Sequence, residues 1–139
     1  MASPLPVRSR LRLFVGLVSV IALGLASRRF PWLFPAFLGK YPGDALWALM
    51  VFVGFALFKP RAATSVLALL ALGTSCLVEL TQLYRAPWLD QIRSTTAGHL
   101  VLGSAFSWLD MAAYAVGVAV GSLIDRWLAG ASASPPMSC

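Results

Sequence analysis

The order of apolar and polar positions divides the chain into four greasy runs separated by short polar stretches. The first, residues 13–26, lies between Arg8, Arg10, Arg12 and the pair Arg28-Arg29. The second, 45–58, follows Asp44 and closes on Lys59-Pro60-Arg61. The third, 63–83, is almost wholly apolar until Glu79-Leu80-Thr81-Gln82, and the fourth, 110–128, ends at Asp125-Arg126. Continuous apolarity over such lengths predicts helices that cross a bilayer rather than strands. The first two runs are short, so flanking residues such as Pro42 and Gly43 lie at membrane depth, or the bilayer thins to meet them. A basic flank before an apolar run also resembles a cleaved leader. Here Gly24-Leu25-Ala26-Ser27 is followed at once by two arginines, a poor cleavage context, and the run reads as a retained helix.

The stretches between the runs differ in character. Phe30-Pro31-Trp32-Leu33-Phe34-Pro35-Ala36-Phe37 combines helix breakers with aromatics suited to the headgroup belt. Residues 86–108 mix polar and apolar positions, too briefly for a crossing, and read as a re-entrant or interfacial segment bracketed by Trp88 and Trp108. The expected fold is therefore all-α: a polytopic integral membrane protein with four transmembrane helices and that segment between the third and fourth. Residues 13–128 make one membrane domain, 1–12 a basic cytoplasmic N-terminus, and the Ala/Ser/Pro stretch 129–139 a disordered tail.

Composition agrees. The chain of 139 residues is 59% hydrophobic with mean hydropathy +0.80. Only 12% of its residues are charged, against about 25% in soluble domains. A net charge of +6 would raise nucleic acid as a partner in a soluble chain. Here the positives are spread over termini and loops without a basic, aromatic-interleaved face, and phospholipid headgroups explain them better. Cys76 lies inside the third run and Cys139 is the last residue, in no metal-ligand spacing, so neither a disulfide nor a metal site is expected. Counting bases places Arg8, Arg10, Arg12, Lys59, Arg61 and Arg126 on one side and Arg28, Arg29, Lys40, Arg85 and Arg93 on the other. The positive-inside rule then puts both termini in the cytoplasm.

That orientation gathers Asp44, Glu79, Asp90, Asp110, Gln82, Tyr84 and His99 at the outer face. Glu79 is the most informative of them, because an ionisable group inside a span costs about 3 kcal/mol by insertion scales and must be shielded and bonded. Gln82 shares its helix face. Glu79 is expected to pair with Arg85, Arg93 or the backbone of the 86–108 segment. Asp44 and Asp110 each precede an apolar run and read as N-caps, and Asp90 as the cap of a turn starting at Gln91. On the fourth run Ala113, Gly117 and Gly121 recur every four residues beside Tyr114, a stripe that admits close approach of another helix. The third span of the same chain is the expected partner there, and a second copy the alternative.

Three stretches carry a resemblance. Gly39-Lys40-Tyr41-Pro42-Gly43-Asp44-Ala45-Leu46-Trp47-Ala48, Val78-Glu79-Leu80-Thr81-Gln82-Leu83-Tyr84 and Ala86-Pro87-Trp88-Leu89-Asp90 resemble a bacterial family of uncharacterised membrane proteins, DUF2809. Gly98-His99-Leu100-Val101-Leu102-Gly103 and Trp108-Leu109-Asp110-Met111-Ala112-Ala113-Tyr114 continue the similarity. More distantly, Glu79, Gln82, Asp110, Gly117 and Gly121 are similar to the pattern of VanZ-like proteins, which are associated with teicoplanin resistance. The insert before Asp110 is longer here, and Tyr114 stands where those proteins tend to have asparagine. The nearer resemblance implies a fold and a place in the bacterial inner membrane, and no activity.

The function expected from these features is non-catalytic. Glu79, Gln82, Arg85, Asp90, Arg93, His99, Asp110 and Tyr114 form an outer polar cluster that takes a lipid headgroup or lipid-linked ligand, with arginine forks on phosphate. No cofactor is expected, and the partners are the bilayer, such a lipid, and a second copy or another membrane protein. The alternatives are an enzyme modifying envelope lipids or cell-wall precursors through Glu79 or His99, and a small assembly subunit using the glycine stripe.

Overall fold

The computed structural model describes residues 8–39, 41–98 and 108–132. Among these every element is helical: α1 Arg10–Arg29, α2 Tyr41–Phe58, α3 Thr64–Thr81, α4 Pro87–Ser94 and α5 Trp108–Ser132, with 3-10 turns at Pro31–Leu33 and Ala36–Leu38. Helices α1, α2 and α3 and the stretch Trp108–Ala129 of α5 are each long and apolar enough to cross a bilayer. The protein is an all-α, multi-pass membrane protein.

Three of the four spanning helices outrun the apolar runs that predict them, while α3 falls short of its run at both ends. Tyr41, Pro42 and Gly43 join α2, since proline is tolerated in a first turn where its missing N–H has no partner to lose. Gly39, at φ +57°, supplies the left-handed turn that leads into it. The 18 residues of α2 then reach about 27 Å at 1.5 Å per residue, enough for a hydrocarbon core without marked thinning. Two expectations change as a result. Asp44 and Asp110 lie inside first turns rather than at N-caps, and Asp90 lies within α4, which starts at Pro87. At the other end α5 continues to Ser132, so residues 129–132 are helical where a disordered tail was expected. Of the segment expected to be re-entrant, residues 86–98 and Trp108, which starts α5, are described, and His99 lies outside the described residues.

Packing centres on α2, which touches α1, α3 and α5, while α3 also touches α5. Each inward face is a stripe of residues four apart: Asp44, Ala48, Phe52 and Ala56 on α2, Leu67, Ala71, Ser75 and Glu79 on α3, and Asp110, Tyr114 and Val118 on α5. Such four-residue ridges are what helices interdigitate. In a bilayer the lipid competes for apolar contact, so close backbone approach matters more than greasiness. Gly117 provides it, because a Cβ there would lie 2.1 Å from the carbonyl oxygen of Ala45. A Cβ on Gly121 would meet Phe52 at 2.9 Å. The stripe on the fourth span therefore faces α2, where the third span was expected. Outward surfaces are apolar, with Leu69, Leu77, Leu123 and Phe58 all exposed and no residue of α1 buried.

Candidate functional site

Three buried stripes end in polar groups at the same end of the bundle. Glu79 is fully buried. Its Oε2 accepts a hydrogen bond from the Tyr114 hydroxyl at 2.9 Å and another from the Gln82 side-chain amide at 3.2 Å. The first bond ties α3 to α5; the second closes the last turn of α3. Tyr114 in turn stacks obliquely on Trp47 of α2, ring centroids 5.9 Å apart. Asp44 and Asp110 are buried at the same end of the bundle. One phenol and one carboxylate thus link three helices.

A second group forms around α4. Arg93 is buried, and its Nη1 donates to the Tyr84 carbonyl at 3.1 Å and to Asp90 at 3.3 Å, while Nη2 donates to the Thr81 carbonyl. The last carbonyls of a helix have no partner within it, and this guanidinium serves that of Thr81, the last residue of α3. Asp90 also faces Arg85 at 3.6 Å, a pair largely exposed to solvent. Of the residues singled out in the sequence, Glu79, Gln82, Tyr114 and Asp110 come together, Arg85, Asp90 and Arg93 form this neighbouring group, and Ala113, Gly117 and Gly121 line α5. Arg93 holds the chain's own backbone, which leaves it poorly placed to anchor an external phosphate.

Sequence reasoning missed the strongest polar contact, at the opposite end. Arg8 grips Asp125 with two parallel bonds, Nε to Oδ1 and Nη2 to Oδ2, both 2.6 Å. Its Nη1 donates to the carbonyls of Ala62 at 2.6 Å and Pro60 at 3.1 Å, and Nη2 also reaches the Thr64 hydroxyl at 3.4 Å. The Thr64 hydroxyl donates to Asp125 at 2.6 Å. Every N–H of the guanidinium has an acceptor, an arrangement that suits its fixed fork. A signal existed: Asp125 continues the register of Ala113, Gly117 and Gly121, four residues on, and so had to face inward. Its partner, 117 positions away, carried no such mark.

Between α1 and α2 a narrow groove of about 140 Å³ is lined by Val20, Ile21, Leu25, Leu46, Trp47 and Met50 and closes on Arg28 at the Glu79 end. Arg28 Nη2 lies 4.0 Å from Asp44, with its side chain 38% exposed. Trp47 joins this groove to the Glu79 clasp through Tyr114. Among the described residues no group of three or more His, Cys, Asp or Glu could hold a metal ion.

No solved structure matches the chain. Both partners of the Arg8–Asp125 pair lie outside the stretch that a family model recognises, whereas Glu79, Gln82 and Tyr114 lie inside it. That model, described as a protein of unknown function (DUF2809), matches residues 33–118, well over half of the chain, and the chain therefore belongs to the DUF2809 family.

Proposed function

We propose that the protein is a non-catalytic membrane protein of the cell envelope that binds a phosphate-bearing lipid, one acyl chain lying in the α1–α2 groove and the phosphate meeting Arg28. The observation that carries this reading is the groove itself, apolar along its length and ending on a half-exposed guanidinium. At about 140 Å³ it is smaller than the 300–1,000 Å³ usual for a compact ligand, and a chain segment suits it better than a whole polar molecule. Asp44 at 4.0 Å orients Arg28 without saturating it, so donors remain for phosphate oxygens. Exposed Trp32, Trp88 and Trp108 suit the headgroup level at this end. The buried clasp of Glu79, Gln82 and Tyr114 supports the groove from behind by fixing Trp47. A carboxylate without exposed surface serves that role better than acid–base chemistry. Base counting favours the Arg8 end as the cytoplasmic one, which leaves the lipid's phosphate in the outer leaflet.

Native mass spectrometry of the protein released from native membranes in mild detergent tests this. A retained phospholipid that is lost in Arg28→Ala and kept in Arg85→Ala, whose side chain lies outside the groove, is the expected result. Equal retention by both variants and the parent refutes the assignment, and a steady conversion of the lipid abolished by Glu79→Gln makes the protein an enzyme instead.

A further inference from the structure

At the end opposite Glu79, the start of α1 and the turn between α2 and α3 enclose a broad, open groove of about 580 Å³ lined by Arg8, Arg10, Lys59, Pro60, Arg61 and Ala62. Four of its six lining residues are basic. Arg8 is fully engaged by Asp125, Thr64 and two carbonyls, so it shapes the wall and neutralises the acid of this end. Arg10, Lys59 and Arg61 are exposed and make no ion pair among the described residues, an excess of cation that bulk packing does not explain. Next to them along the chain stand two large apolar side chains, Leu11 at 74% and Phe58 at 84% exposure. Hydrocarbon therefore meets charge at this level, which is where a phospholipid carries its phosphates. The volume lies within the range of true ligand sites and exceeds that of the α1–α2 groove.

We infer that this groove is a headgroup site for an anionic phospholipid carrying two phosphates, such as diphosphatidylglycerol, in the leaflet at the Arg8 end. Three free cations match two phosphodiesters, and basic pockets between transmembrane helices recognise headgroups of this kind. The guanidinium of Arg8 is already saturated, so the lipid contacts run through Arg10, Lys59 and Arg61, with its acyl chains beside Leu11 and Phe58. This site is separate from the α1–α2 groove and does not depend on it.

The test uses the whole protein in phosphatidylcholine nanodiscs, titrated with fluorescent diphosphatidylglycerol. The parent should bind it well above a fluorescent phosphatidylcholine. The triple variant Arg10→Gln, Lys59→Gln and Arg61→Gln should lose about 100-fold in affinity, since each cation near the surface contributes about a factor of five. Its melting temperature should stay at the parent value, because all three side chains are exposed. Arg10→Lys with Arg61→Lys should retain most of the binding, and Arg28→Ala all of it. The inference is overturned by equal affinity in parent and triple variant, by no preference over phosphatidylcholine, or by full displacement with free pyrophosphate at matching concentration. Binding lost in Arg28→Ala but kept in the triple variant would move the lipid to the other groove.

Discussion

Asp125→Asn removes one charge from the Arg8 clasp while keeping its shape. The side chains of Arg8 and Asp125 are 7% and 11% exposed, so the ordinary surface value of about 0–1 kcal/mol does not apply. The variant leaves a guanidinium in a site built for a carboxylate, with two 2.6 Å bonds weakened and the bond from Thr64 turned toward an amide. Breaking a buried pair by removing one partner costs about 3–5 kcal/mol. Because this pair sits at a helix end rather than mid-membrane, the lower figure, about 3 kcal/mol, is expected. Equilibrium unfolding of purified protein in mixed micelles measures it. The companion Arg8→Met with Asp125→Leu removes both charges, and replacing a buried pair by apolar groups is often neutral or stabilising. It should therefore recover most of the loss. A change below about 0.5 kcal/mol in Asp125→Asn refutes the claim that the clasp holds the bundle, taking surface pairs as the standard. A double variant as weak as the sum of the singles refutes the claim that the uncompensated charge causes the damage.

Glu79→Leu leaves the Tyr114 hydroxyl and the Gln82 amide without their shared acceptor, and the fold should lose at least about 2 kcal/mol; unchanged melting in detergent contradicts the clasp. Gly117→Ala improves helix propensity by about 1 kcal/mol yet drives a methyl into the Ala45 carbonyl. Its melting point should fall, whereas Gly54→Ala, where a Cβ meets nothing within 4 Å, should hold or gain. A phosphatase reporter joined after Cys139 should be silent and a fluorescent one bright; the reverse pattern inverts the proposed orientation.

How far these contacts could be read in advance depends on how local their causes are. Glu79 stood out because a carboxylate in an apolar run must find partners, and Gln82 lay one turn away on the same face. Tyr114 was visible as the large residue beside a stripe of small ones. The bond that joins Glu79 to Tyr114 depends on the register between α3 and α5, which no spacing encodes. Asp44 and Asp110 look like caps in the sequence because the apolar runs begin just after them. The helices start earlier because a first turn tolerates Pro42, so Tyr41-Pro42-Gly43 joins α2, while Trp108 and Leu109 fall within α5. The same bias toward apolar runs cut α5 short before Ser132. Arg93 carried a plausible phosphate role on charge alone; its burial against Thr81 and Tyr84 follows from how α4 folds back, a tertiary event.

The arrangement of α1 follows from the same physics. It buries none of its residues, and its apolar side chains are as well served by acyl tails as by α2. What distinguishes the bound position from free diffusion in the bilayer is polar and lies at the two ends: Arg8 on Asp125 and Thr64, and Arg28 within 4.0 Å of Asp44. Between these ties α1 packs along α2 without burying any of its residues, and a groove remains there. A helix tied at its termini, with none of its residues buried, is a reasonable wall for a lipid chain, since a chain can enter without breaking a hydrogen bond. Under the proposed lipid-binding reading, the Arg8 clasp and the α1–α2 groove are coupled. Loosening the clasp with Asp125→Asn should weaken lipid retention at Arg28 even though the two sites lie at opposite ends of the bundle, and native mass spectrometry of that variant reads the coupling directly. Retention at the parent level in a variant shown to be destabilised would mean that α2 alone holds the lipid.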